Sequence, residues 1–169
     1  KMPLDEFAAK NIFRPLKMVD TEYKPAKAKQ NRIAPTERTN DGVLRGTAHD
    51  PTARRMGGVA GHAGLFSTAE EVFKIALQFL PNYTQILKPE TCELFRTNFT
   101  KGLNEDRSFA FQLASTEGST AGTRMSRESF GHNGFTGTSL WIDPVKERIF
   151  VLLTNRTHNH PLPFVNINS

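Results

Sequence analysis

The last third of the chain is written in short runs of period two, and this constrains the fold more than any other feature. Phe109, Phe111 and Leu113 alternate with Ala110 and Gln112, so one face of that segment is apolar and the other is not. Three further strand candidates follow at residues 129–133, 138–143 and 148–155. The link Asp143-Pro144-Val145-Lys146 between the last two has hairpin-turn chemistry, which makes those strands antiparallel neighbours.

The preceding residues have a different period. Leu4, Phe7, Ala8 and Ile12 recur at spacings of three and four behind Pro3, with Asp5 and Glu6 in the first turn, and predict a short amphipathic helix that Pro15 ends. Ser67 with Glu70 three residues on predicts a capping box, opening a helix that buries Val72, Phe73, Ile75, Ala76, Phe79 and Leu80 and stops at Pro81. Pro89 opens a shorter helix through Cys92, Leu94 and Phe95. Residues 19–60 keep no sustained period and contain only a short extended piece at Val43 and Leu44. About 40 irregular residues in a compact domain predict functional surface or a face laid against another part of the protein. The order is α+β: an antiparallel sheet flanked by helices.

Charge and apolar content exclude several function classes. The net charge is +5, but residues 1–32 hold eight basic and four acidic residues, so the basicity is local. Tyr23 is the one aromatic between Lys17 and Lys29, which is not the interleaving a nucleic-acid groove needs. The longest apolar run, Ile149 to Leu153, is five residues, against roughly 20 for a membrane span. A single cysteine, Cys92, excludes an internal disulfide and a thiolate metal cluster. His49, Asp50, His62, His132, His158 and His160 show no metal-ligand spacing, so no metal is expected.

Two glycine clusters carry the chemistry. Gly57-Gly58-Val59-Ala60-Gly61-His62-Ala63-Gly64 runs into the Ser67 helix start, where a phosphate could sit. The Lys and Ser/Thr of a P-loop are missing, which favours glycines that allow close backbone approach beside a cleft. Gly131-His132-Asn133-Gly134-Phe135-Thr136-Gly137 is either a glycine-rich edge strand with an exposed histidine or a strand whose backbone something approaches.

Gly61-His62-Ala63-Gly64-Leu65-Phe66-Ser67-Thr68-Ala69, then His132-Asn133-Gly134-Phe135-Thr136-Gly137, then Trp141-Ile142-Asp143-Pro144 and Val151-Leu152-Leu153-Thr154-Asn155-Arg156 follow one another as in the serine beta-lactamase and penicillin-binding-protein superfamily. The branch the chain resembles is that of class C beta-lactamases, D-alanyl-D-alanine peptidases and related esterases. Pro15-Leu16-Lys17-Met18-Val19-Asp20-Thr21 is similar to the family's Pro-Leu-Gly-Met-x-Asp-Thr signature, with Lys17 at the glycine. His132-Asn133-Gly134 matches its Lys/His-x-Gly strand motif, whereas neither Ser-x-x-Lys nor Tyr-x-Asn occurs.

The resemblance implies that residues 1–169 are the C-terminal part of a single beta-lactamase-like domain, with the nucleophile half upstream of Lys1. It implies a serine hydrolase that cleaves an amide, ester or lactam bond through an acyl-enzyme, without a cofactor. In that reaction Phe135 would supply the strand's backbone oxyanion donor, and His132 would take the family's Lys/His role. Asn133, Gly134 and Thr136 would contact substrate, with His62, Asn155 and Arg156 on the rim. The alternative is a binding module without turnover, for cell-wall fragments or sugars, possibly fused to a glycoside hydrolase. The substrate would be a small molecule or peptidoglycan-like, met in the periplasm or another extracytoplasmic space. With its nucleophile half absent, the chain alone is expected to be inactive and to self-associate through the 148–155 edge.

Overall fold

A computed structural model describes residues 1–158 as two units: Lys1–Glu71, Phe135–Thr138 and the segment from Leu153 in the first, Val72–Gly134 and Ser139–Leu152 in the second. His160 lies outside the described residues.

In the first unit, helix α1, Leu4–Ala8, runs on into one π-helical turn, Ala9–Phe13. The extra residue of that turn shifts the apolar stripe. Ala8, Phe13, Leu16 and Met18 are buried, whereas Leu4 and Phe7 of the expected stripe are exposed. The end is a Schellman closure: Met18 N–H donates to Phe13 C=O at 2.8 Å and Lys17 N–H to Arg14 C=O at 3.1 Å. Lys17 adopts φ +52°, the left-handed geometry that glycine favours at this place.

Residues 19–60 are less irregular than their sequence. Strand β1, Glu22–Tyr23, is followed by a 3₁₀ stretch, Lys27–Arg32, and by the hairpin of β2, Glu37–Thr39, and β3, Gly42–Leu44. Helix α2, Pro51–Arg55, is capped by Asp50, whose Oδ1 accepts the Ala53 N–H at 2.7 Å. Strand β4, Leu65–Phe66, pairs antiparallel with β1. Elements this short, none periodic, leave no pattern in the sequence.

Helix α3, Ala69–Leu77, begins one residue later than a Ser67 cap predicts. Thr68, not Ser67, accepts the Glu71 N–H on its hydroxyl, at 3.3 Å. The Ser67 hydroxyl instead lies 2.7 Å from that of Thr21, and Thr21 donates to Glu71 Oε2 at 2.5 Å. Both Glu71 oxygens also accept the Asp20 N–H at 3.0 Å, which ties the Asp20-Thr21 signature to the helix start. The helix stops at Leu77, short of Pro81, and gives way to i→i+3 turns through Leu80.

In the second unit, helix α4, Pro89–Leu94, starts on its proline as expected and buries Cys92. The sheet is antiparallel, in the order β5, Gln112–Leu113, β6, Phe130–Asn133, β7, Ser139–Asp143, β8, Arg148–Leu152. Ala76, Leu80, Leu113, Phe130 and Ile142 form its core, with Phe79, Phe95 and Phe111 packed edge-on or tilted around them. Phe73 and Phe109, both expected inside, are 42% and 55% exposed. Phe109 lies outside the two-residue strand β5 and stacks on Phe99 instead, with ring centroids 4.7 Å apart. Buried Asp143 closes the β7–β8 turn by accepting the Val145 and Lys146 N–H groups at 3.1 and 3.0 Å. Strand β8 ends at Leu152, three residues before the expected limit.

Candidate active site

Strand β6 carries the second glycine motif, and the reason it is a strand is local. Phe130 is fully buried on the core face. On the other face Gly131 lies opposite Trp141, and a β-carbon on Gly131 would come within 2.4 Å of the indole. The glycine thus makes room for a ring of its own sheet, a packing reason for part of the glycine density. Strand β5 pairs only with Phe130 and Gly131. Beyond that point, among the described residues, no strand lies beside His132 and Asn133 on the side away from β7. His132 is exposed there, and Gly134 is half-buried.

Asn133 is held on three sides. Its Nδ2 donates to Thr120 Oγ1 at 2.6 Å, and its Oδ1 accepts from Ser139 Oγ at 2.9 Å and Trp141 Nε1 at 3.3 Å. Its amide sets the end of the strand, and a ligand that used it would have to displace one of these partners. Thr120 and Trp141 carry no sequence signal for this role.

The continuation of the motif, Phe135–Thr138, belongs to the first unit and is braced from several sides there. Arg156 Nε donates to the Phe135 carbonyl at 3.0 Å, and the Arg156 N–H and Thr154 hydroxyl donate to the Thr136 carbonyl at 3.0 and 3.3 Å. Asn155 Nδ2 donates to Pro35 O at 2.7 Å. The structure thus brings Phe135, Thr136 and Arg156 together and turns the Asn155 side chain to Pro35. The Phe135 ring is 51% exposed and stacks on His49, with centroids 5.6 Å apart and planes at 28°. His49 Nε2 lies 3.4 Å from Glu37 Oε2.

His62 is exposed and donates from Nε2 to Asp50 Oδ1 at 3.1 Å. The Ala53 N–H, and after it His62, hold the Asp50 carboxyl below the usual carboxylate range. The first glycine cluster borders a groove of about 420 Å³ lined by Lys24, Pro25, Arg54, Gly57, Gly58 and Phe66. A β-carbon on Gly64 would lie 2.3 Å from the Gly58 carbonyl, so the glycines serve close backbone approach beside a cleft. Among the described residues, no group of three His, Cys, Asp or Glu side chains could hold a metal ion, and no helix is long and apolar enough to cross a membrane.

The family model described as Beta-lactamase matches residues 1–167. A putative D-alanyl-D-alanine carboxypeptidase of Escherichia coli (strain K12) is 33% identical over 178 residues, covering 93% of this chain and 41% of that protein. An N-acetylmuramyl-L-alanine amidase of Bacillus subtilis (strain 168) is 34% identical over 181 residues, covering 92% and 40%. The chain therefore spans about two-fifths of the length of these relatives. Among solved structures, a simvastatin synthase mutant from Aspergillus terreus superposes with a TM-score of 0.69 at 18% identity, covering 95% of this chain and 47% of that one. A beta-lactamase from Mycobacterium bovis gives 0.62 at 19% identity, covering 92% and 49%. At these identities the superpositions show the α+β beta-lactamase fold.

Proposed function

The chain belongs to the Beta-lactamase family, and on that premise we propose that it is the C-terminal part of one beta-lactamase-like domain in a serine hydrolase that cleaves amide bonds of peptidoglycan-like substrates through an acyl-enzyme. One observation carries the reading: β6 presents an exposed His132 one residue past the point where its β5 partner stops. An extended acyl donor has room along that strand edge, with backbone groups to pair with. The amide bond, and a substrate met outside the cytoplasm, draw their support from relatives named as a putative D-alanyl-D-alanine carboxypeptidase and an N-acetylmuramyl-L-alanine amidase.

The steps follow from acyl transfer. A serine from the part of the protein upstream of Lys1 attacks the carbonyl, and its proton passes to the family's lysine. The oxyanion is held by the N–H of that serine and by the Phe135 N–H. The leaving amine takes a proton, and water then hydrolyses the ester. His132 orients the substrate's polar end beside the strand, with Gly134 and Thr136 next along the chain.

In the full-length protein, His132→Ala is expected to lower kcat/KM by about ten- to a thousand-fold on an N-acylated D-alanyl-D-alanine or muramyl-peptide substrate. A fluorophosphonate or penicillin should label one upstream serine and no serine of residues 1–169. An unlabelled, inactive full-length protein that still binds muropeptide would replace this reading with the binding module. Strand β8 has Phe150 and Leu152 exposed at 53% and 58% and, among the described residues, pairs with β7 alone. That edge is proposed to take a strand from the upstream part of the protein, and the 169-residue chain by itself to self-associate there. Sedimentation of the isolated chain as a monomer at high micromolar concentration would overturn this.

A further inference from the structure

We infer that His49 is a positioning residue for the oxyanion donor, acting through the ring of Phe135; this rests on the hydrolase reading above. Phe135 is held by two of the groups on its α-carbon. Its carbonyl accepts Arg156 Nε at 3.0 Å, and its side chain stacks on the His49 imidazole at 5.6 Å. Fixing two substituents of a tetrahedral carbon fixes the direction of the third, here the bond to the backbone nitrogen. The N–H that would face the oxyanion can then turn only about that bond. An oxyanion donor acts by being in place before charge develops, to within about 0.5 Å and 10–20°. The stack gives the ring a seat at one end of the Cα–Cβ bond, and the Arg156 bond holds the carbonyl on the other side of the same α-carbon.

The brace itself stands on fixed elements. His49 immediately precedes Asp50, the residue that caps α2 through Ala53 N–H. Its imidazole lies 3.4 Å from Glu37, with 19% and 21% of the two side chains exposed. Glu37 is on β2, opposite Leu44 of β3. The His49 ring thus sits between Glu37 of a hairpin strand and the ring of Phe135, one residue before a helix cap.

The test uses the full-length protein with His49→Ala, His49→Phe and Glu37→Gln. Because oxyanion stabilisation is realised in the transition state, His49→Ala should lower kcat about 10- to 100-fold with KM within about twofold. His49→Phe, which keeps a ring for the stack, should return kcat to within about threefold of wild type, and Glu37→Gln should fall between. A second readout needs no turnover: amide hydrogen exchange at residues 135–138 should quicken about tenfold in His49→Ala while the rest of the protein is unchanged. An active protein whose kcat is the same in His49→Ala overturns the inference, as does unchanged exchange at 135–138. A wild-type protein that hydrolyses no substrate overturns the hydrolase reading instead, and exchange then decides the brace alone. Where His49→Ala unfolds, Glu37→Gln carries both readouts.

Discussion

The β6–β8 sheet and the segment from Asp20 to Phe66 are ordered by different forces. In the sheet, Phe130 and Ile142 are fully buried against Ala76 and Leu80, and apolar contact sets the register. In the other segment few side chains are buried. Order comes from polar ties, such as the Glu71 carboxylate to the Asp20 N–H, Arg32 to the Asp20 carboxylate at 2.7 Å, Asp50 to the Ala53 N–H, and Asn155 to the Pro35 carbonyl. Burial stabilises in proportion to area and tolerates small shifts, whereas each polar tie is specific to its two partners. The first arrangement makes a rigid support for a histidine, and the second holds loops in particular places.

Substitutions can break this contrast. Truncating Phe130 to Ala should have the largest effect, about 3–5 kcal/mol in denaturant unfolding, because the fully buried ring leaves a cavity among Phe79, Phe111 and Ile142. Glu71→Ala comes next, at about 2–3 kcal/mol, by leaving the Asp20 N–H without its acceptor and the buried Thr21 hydroxyl with Ser67 alone. A loss as large as that of Phe130→Ala would mean the polar segment is no less dependent on single residues than the core.

Asp143 belongs to both classes, being 1% exposed and bonded to three N–H groups. Burial works to raise its carboxyl, but the Ser126, Lys146 and Val145 N–H groups outweigh that and hold it below the usual range. A depressed folded value means its stabilisation is complete above the unfolded value of about 3.9 and is lost as pH falls through the folded value. Asp143→Asn should therefore cost about 1–2 kcal/mol at neutral pH and flatten the acid limb of the stability profile below about pH 4. An unchanged acid limb would assign that limb to other carboxylates. Lys17→Gly should have the smallest effect, a gain of up to about 1 kcal/mol from relieving the left-handed backbone. No gain would show that lysine fits this geometry as well as glycine.

Strands β6, β7 and β8 were legible to within three residues at their ends, whereas of the alternation over 109–113 only Gln112–Leu113 is strand. The β7–β8 turn was legible because Asp143-Pro144 has a local reason to bend. The start of α3 was not, since Ser67 and Thr68 each have a glutamate three residues on, and Thr21, far away in the sequence, decides between them. Phe73 and Phe109 were misplaced because hydrophobicity says that a ring prefers cover, not that the fold provides it. His132 was singled out by its motif, while His49 reads as an isolated histidine until Phe135 is brought onto it. Asn133 was singled out by the same motif, but its three partners are visible only in the fold.

The indole laid over Gly131 has an optical consequence. Trp141 is the single tryptophan of the sequence, and its N–H reaches Asn133 of the motif at 3.3 Å. A ligand that draws the Asn133 amide away would break that bond and change the polarity around the fluorophore. Emission from this ring, taken as the difference between the protein and a Trp141→Phe variant, would then report a ligand at Asn133 without any labelled substrate.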